Sequence, residues 1–172
     1  MPNKNLNKDF IKLKQHDKDA FLRIYNELKI PVYTIAYRIT KSADTAEDLT
    51  QDVFVKLFSS PPDESVKNYR AWVFAVTRNL AIDNLKKTKT LSFDDIDNIE
   101  QDNEINIITR LDIEEAMNIL SLTEREIVTL HINAGLSFKE ITKIINLSLP
   151  STYRRYKKAI SKLKILLSGG AL

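Results

Sequence analysis

The sequence predicts an all-α protein: two small helical domains joined by an acidic linker, the C-terminal one a helix-turn-helix. Three observations predict it. Only 3 Gly and 5 Pro fall in 172 residues rich in Leu, Ile, Lys and Glu, a composition that favours helices. The patterned stretches carry apolar residues at helical spacing. Between residues 94 and 106 the composition shifts to six acids (Asp94, Asp95, Asp97, Glu100, Asp102, Glu104) with no Lys or Arg. The expected boundaries are therefore 1–88 for the first domain, 89–106 for the linker and 107–172 for the second.

Taken in order, residues 7–15 read as a short helix. Asp17 or Asp19 starts a longer one carrying Ala20, Phe21, Ile24, Tyr25 and Leu28. Pro31 interrupts or kinks it, and Val32, Ile35, Ala36 and Ile39 continue its apolar stripe. After a turn at 41–44, a helix from near Asp44 to Phe58 turns Ala46, Leu49, Val53 and Leu57 to one face. Pro61 and Pro62 end it. A polar loop leads to a long helix over 69–87, on which Trp72, Val73, Val76 and Leu80 are expected to line the inner face. A helix resumes near Ile107 and reaches Leu120.

Residues 122–163 then read as three short helices. Thr123 with Glu126 fits a capping box, and Ser137 with Glu140 fits a second. Gly135 falls where the first should stop, because glycine takes a left-handed cap without steric cost. Phe138, Ile141, Ile144 and Ile145 follow at helical spacing. Ser148 can cap the third helix, and Pro150 is tolerable in its first turn. From Arg154 to Lys164 there are six cations and no acid, with Tyr153 and Tyr156 interleaved at the start. Helix, tight turn and basic helix form the pattern whose second helix enters the DNA major groove.

Bulk properties exclude several classes. No run of about 18 apolar residues exists, so no membrane insertion is expected. The start, MPNKNLNKDF, lacks the apolar core of a signal peptide. Without Cys there is no disulfide and no thiolate metal site, which fits a reducing, cytoplasmic setting. His16 and His131 lie in no HExxH-like pattern, and no Gly-rich phosphate loop exists. No metal, no cofactor and no catalytic residue is expected. His131, in an apolar helix, reads as a packing residue, and the phase of Trp72 reads as core.

The stretch LTEREIVTLHINAGLSFKEI (122–141) resembles two families. One is the response-regulator and quorum-sensing activators, which are free-standing helix-turn-helix regulators. The other is the promoter-binding domain of sigma factors. Two earlier motifs choose between them. AEDLTQDVFVKLF (46–58) leaves Asp48, Gln51 and Asp52 on a face of their own, which by itself reads as a solvated helix face or as a surface for a basic protein partner. It resembles the sigma-factor region that docks on the clamp helices of bacterial RNA polymerase. YRAWVFAVTRNLAIDNLKK (69–87) resembles the helix that melts and reads the -10 element. The order of these motifs, and a chain too short for further domains, resemble the compact extracytoplasmic-function (ECF) group of the sigma-70 family.

That resemblance implies a non-enzymatic subunit that brings core RNA polymerase to promoter DNA, with an anti-sigma factor as a further partner. By it, Asp48, Gln51 and Asp52 contact polymerase, with Phe54 at the edge. Arg78, Asn79, Lys86 and Lys87 serve the -10 element, Asn79 holding an extruded base. Ser151, Tyr153, Arg154, Arg155, Lys157 and Lys158 serve the -35 element, while Lys162 and Lys164 touch only phosphate or water. Loop 59–68 lies where the family selects a base, and it reads equally as a connector. Departures are Ala75 for a common basic residue, Pro150 for a frequent Gly, and Thr152 with Tyr153 for a frequent Val-Lys/Arg pair. They leave the -35 preference open.

Overall fold

The computed structural model describes residues 4–63, 65–91 and 107–167, and all regular structure among them is helical. The chain divides into two compact units, Met1–Leu85 and Lys86–Leu172. Most of the expected linker, residues 92–106, lies outside the described residues, while 89–91 belong to a helix.

The first unit holds α1 (Lys4–Leu13), α2 (Lys18–Thr40), α3 (Ala43–Ser59) and the start of α4 (Tyr69–Leu91). α1 begins and ends earlier than its sequence pattern indicates. Leu6, Phe10 and Leu13 are buried on one side, and His16 at φ 55° turns the chain away. Asp9, also on that side, is satisfied by Arg23 of α2 at 2.7 Å. Asp17 caps α2 by accepting the Ala20 N–H at 2.9 Å.

Pro31 does not break α2, which runs unbroken to Lys41 at φ 60°. A proline inside a helix costs about 3 kcal/mol. Seven buried residues, Ala20 through Ile39, lie on both sides of it and offset that cost through packing. α2 packs on both α1 and α3. Ser42 caps α3 by accepting the Thr45 N–H, and Ala46, Leu49, Val53, Phe54 and Leu57 are buried.

The inner face of α4 differs from expectation. Tyr69, Val73, Thr77 and Ala81 are buried, with Phe74 beside them, whereas Trp72, Val76 and Leu80 are only half-buried. Tyr69, Val73, Thr77 and Ala81 are four apart, so they form one row along the helix. Thr77 conceals the pattern in the sequence. Its hydroxyl donates to the Val73 carbonyl at 2.8 Å, so it packs as an apolar residue despite its polar type. The Tyr69 ring stacks on Phe10 at 4.9 Å, and Arg70 pairs with Glu27 at 3.5 Å, which fixes α4 to α1 and α2.

The second unit holds α5 (Ile107–Asn118), α6 (Leu122–Ile132), α7 (Phe138–Ile145) and α8 (Leu149–Leu167). The capping box of α6 is Ser121 with Glu124, not Thr123 with Glu126. The sequence holds two overlapping S/T-x-x-E frames. The earlier one wins because it brings Arg125 back over α5. The Arg125 Nε donates to the Met117 carbonyl and Nη2 to the Leu120 carbonyl, each at 3.1 Å. The Met117 oxygen also accepts the Leu120 N–H at 3.3 Å, so Arg125 adds a second, charged donor at this helix end.

Gly135 sits at φ 67° in the turn, and the Leu136 N–H reaches back to the Leu130 carbonyl at 3.0 Å. The second box, Ser137 with Glu140, forms as expected. Asn146 at φ 56° ends α7, and Ser148 caps α8 by accepting the Ser151 N–H. Met117, Leu120, Val128 and Ala159 form a core against which Tyr156, Ile160 and Leu163 pack.

Candidate polymerase and promoter interfaces

The outer face of α3 is built by the same periodicity that buries its inner one. Asp48, Gln51 and Asp52 are exposed, with Glu47 beside them and Val55 66 % exposed among them. Spacings of three, four and seven residues place Asp48, Gln51, Asp52 and Val55 on one stripe. Phe54 does not belong to that surface. It is 3 % exposed, and its ring lies against Tyr25 at 4.8 Å and Phe21 at 6.4 Å. It lies one step past the exposed arc, under the stripe, where the α2 rings enclose it. Val55 is the residue the sequence reading passed over. Its signal was a β-branched residue at an outward helix position, where propensity alone disfavours it.

On α4, Asn79, Lys86 and Lys87 are exposed and Arg78 is half-buried. The loop before α4 is held at both ends. Pro62 is buried, and Asp63 accepts the Ser65 N–H at 2.8 Å. That backbone hydrogen bond, with a further one from the Ser65 side chain, holds the Asp63 carboxyl below its ordinary pKa. Asn68 caps α4 by accepting the Ala71 N–H at 3.0 Å. Ser65 and Lys67 remain exposed between these anchors.

α8 separates two faces. Thr152 and Ala159 are buried, while Tyr153, Arg154, Lys157 and Lys158 are exposed and Ser151 and Arg155 are half-buried. The exposed cations are not drawn into ion pairs with α8's own side chains, since the helix contains no acid. Arg155 lies on the flank, half-buried, and its Nε is buried with no hydrogen-bond partner among the described residues.

Two sequence expectations change here. Lys162 faces neither phosphate nor water alone: its ammonium meets the Glu124 carboxylate at 2.7 Å. Burial raises the Glu124 pKa, but the Lys162 hydrogen bond and the Ser121 N–H outweigh it, and the net shift is downward. Tyr156 is half-buried, its ring edge-on against both His131 and Phe138, rather than offered freely to DNA. His131 packs as expected, and it also donates from Nδ1 to the Leu136 carbonyl at 2.8 Å, holding the turn. Among the described residues no group of three His, Asp or Glu gathers as a metal site, and no helix is long and apolar enough to cross a membrane.

Comparison with known proteins gives this arrangement a family. The model of sigma-70 region 2 matches residues 24–90, and that of sigma-70 region 4 matches residues 110–163. The ECF RNA polymerase sigma factor SigM of Bacillus subtilis is 29 % identical over 154 residues, covering 86 % of this chain and 94 % of SigM. The ECF sigma factor SigE of Mycolicibacterium smegmatis is 26 % identical over 147 residues. That match covers 80 % of this chain and 57 % of SigE, so the chain spans little more than half of that relative.

Two solved structures share the fold. One is the sigma factor RpoE with the anti-sigma factor NepR from Bartonella quintana, at TM-score 0.75 and 24 % identity over 88 % of this chain and 98 % of that one. The other is CnrH with the cytosolic domain of CnrY, at TM-score 0.71 and 18 % identity over 97 % and 99 %. Together the two region models, the relatives and the helical architecture show that this chain belongs to the extracytoplasmic-function group of the sigma-70 family.

Proposed function

We propose that this chain is a sigma subunit that directs bacterial core RNA polymerase to specific promoters in the cytoplasm. One observation carries the reading. The exposed charge is divided between the units, acidic and amide-bearing on α3 of one and basic on α8 of the other. An acidic stripe suits a basic protein surface, and a basic helix after a tight turn suits DNA.

In this reading residues 1–88 form the first functional domain, 89–106 the linker and 107–172 the second. Asp48, Gln51 and Asp52 dock on the clamp helices, and Phe54 supports them from beneath. Arg78, Lys86 and Lys87 draw the melted strand by charge. Asn79 holds a base of the -10 element, its amide pairing with a base edge. Arg154, Lys157 and Lys158 meet the -35 element with Ser151 and Tyr153, and Arg155 takes a phosphate at the flank. The chain supplies binding and strand opening, and polymerase supplies the chemistry. An anti-sigma factor joins the partners by analogy with the complexes of RpoE and CnrH.

The test adds the purified chain to core polymerase and a library of promoter fragments. Specific initiation without another sigma factor is the expected result. Tight duplex binding by the chain alone, with no effect on initiation, would instead identify a free-standing regulator. Asp48→Arg is expected to abolish polymerase binding by placing a like charge against a basic surface. Unchanged polymerase affinity in this variant would overturn the α3 assignment.

A further inference from the structure

Four rings join α6, the turn, α7 and α8. His131 stacks on Phe138 at 4.4 Å and meets Tyr156 edge-on at 5.0 Å. Phe138 meets Tyr156 at 5.0 Å and stands perpendicular to Tyr153 at 5.5 Å. Tyr156 alone would suffice to close the seam between α7 and α8. Tyr153 adds a second ring on the same anchor, yet leaves it 48 % exposed. It occupies the fifth position of α8, in the part of a recognition helix that reaches base edges. One turn on, Lys157 places its ammonium 5.5 Å from the centre of the same ring.

We propose that Tyr153 reads the 5-methyl group of a thymine in the major groove, with Phe138 as its positioning residue. The inference rests on the promoter-binding reading above and names what that face recognises. The thymine methyl is the apolar feature of the major groove, and an apolar side-chain surface is its complement. Free tyrosine on a helix surface loses rotamer freedom when it docks. Here Phe138 has already restrained the ring, so less is lost on binding. Lys157, steered by the Tyr153 ring, lies beside that thymine and meets a phosphate or a base acceptor next to it. His131 completes the support, since its hydrogen bond to Leu136 in the turn and its stacking fix the turn and Phe138 together.

The experiment selects duplexes from a randomised pool with the full chain assembled on core polymerase, for the wild type, Tyr153→Phe, Tyr153→Ala and Phe138→Leu. The wild type and Tyr153→Phe are expected to enrich a thymine at one position, Tyr153→Ala to lose it, and Phe138→Leu to blur it. Replacing that thymine by deoxyuridine should then weaken wild-type binding about fourfold, the worth of one buried methyl group, and leave Tyr153→Ala unaffected. The salt dependence should be the same for all four proteins, since no phosphate contact is removed.

A common consensus in all variants overturns the inference while leaving promoter reading intact. So does uniform weakening at every position in Phe138→Leu, which would mark the ring as structural only. Thermal melting of each variant identifies any that fails to fold, and Tyr153→Ala, on the surface, then decides the matter through the deoxyuridine comparison. No enrichment by the wild type would overturn both the inference and the reading it rests on.

Discussion

Replacing Glu124 by Gln tests how the second unit is held together. The wild-type carboxylate accepts the Ser121 N–H at 3.0 Å and the Lys162 ammonium at 2.7 Å, with its side chain 5 % exposed. Glutamine keeps the capping contact, because Gln also serves in a capping box. It loses the charge. Breaking a fully buried pair costs about 3–5 kcal/mol, but Lys162 is 34 % exposed and can turn its ammonium to water. The loss therefore falls to about 1–2 kcal/mol, the scale of one hydrogen bond to a charged group.

For a domain of this size that lowers Tm by roughly 4–16 °C at pH 7. The Glu124 carboxyl is lowered in the folded state, so its contribution is complete above the unfolded pKa and is lost as pH falls through the folded one. The gap between wild type and variant should be full above about pH 5 and close as pH falls below about 4. Thermal melts followed by circular dichroism across that range supply the measurement. A gap that is absent at pH 7, or equally wide at pH 3, refutes the reasoning. Lys162→Met should lose more, because it strands the 5 % exposed Glu124 carboxylate without its ammonium, and the double variant should lose less than the sum.

Other expectations follow from the same geometry. Arg125→Met keeps the apolar stem but strips two hydrogen bonds from the Met117 and Leu120 carbonyls, and should cost about 3 kcal/mol in chemical denaturation. Gly135→Ala forces a Cβ into the left-handed region and should cost about 1 kcal/mol, read by the same assay. Arg155→Ala should weaken binding to all duplexes alike and reduce the slope of log K against log salt by about 1, measured by fluorescence anisotropy. Asn79→Ala should leave polymerase binding unchanged and slow strand opening, followed by permanganate reactivity of unpaired thymines.

The sequence was most legible where one residue type has one local use. Ser137 with Glu140 acts within a few residues and formed where its spacing put it, while Gly135 is left-handed as expected but lies in the turn two residues past Asn133, which caps α6. The α6 start was ambiguous because two capping frames overlap, and the choice was made by Arg125 reaching eight residues back to Met117. The inner face of α4 was misphased because Thr77 satisfies itself and packs as if apolar. Lys162 was read as solvent-facing because its partner lies 38 residues away. The burial of Phe54 was not legible either, because the α2 rings that enclose it lie about thirty residues away in the chain. What remained hidden in each case was a non-local contact or a polar atom satisfied at home.

The place of α8 in the second unit also bears on the order in which the chain is made. α5, α6 and α7 each pack against α8, and Ala159 closes the core formed with Met117, Leu120 and Val128. These three helices have 12, 11 and 8 residues, lengths at which an isolated helix is marginal in water. During synthesis they emerge first, with apolar faces and no wall to bury them. In the first unit α2 packs on both α1 and α3, which are made before it is complete or soon after. A nascent chain halted before residue 149 thus holds a folded front half and an unfinished back half, and the unfinished half is the piece that chaperones and proteases would meet.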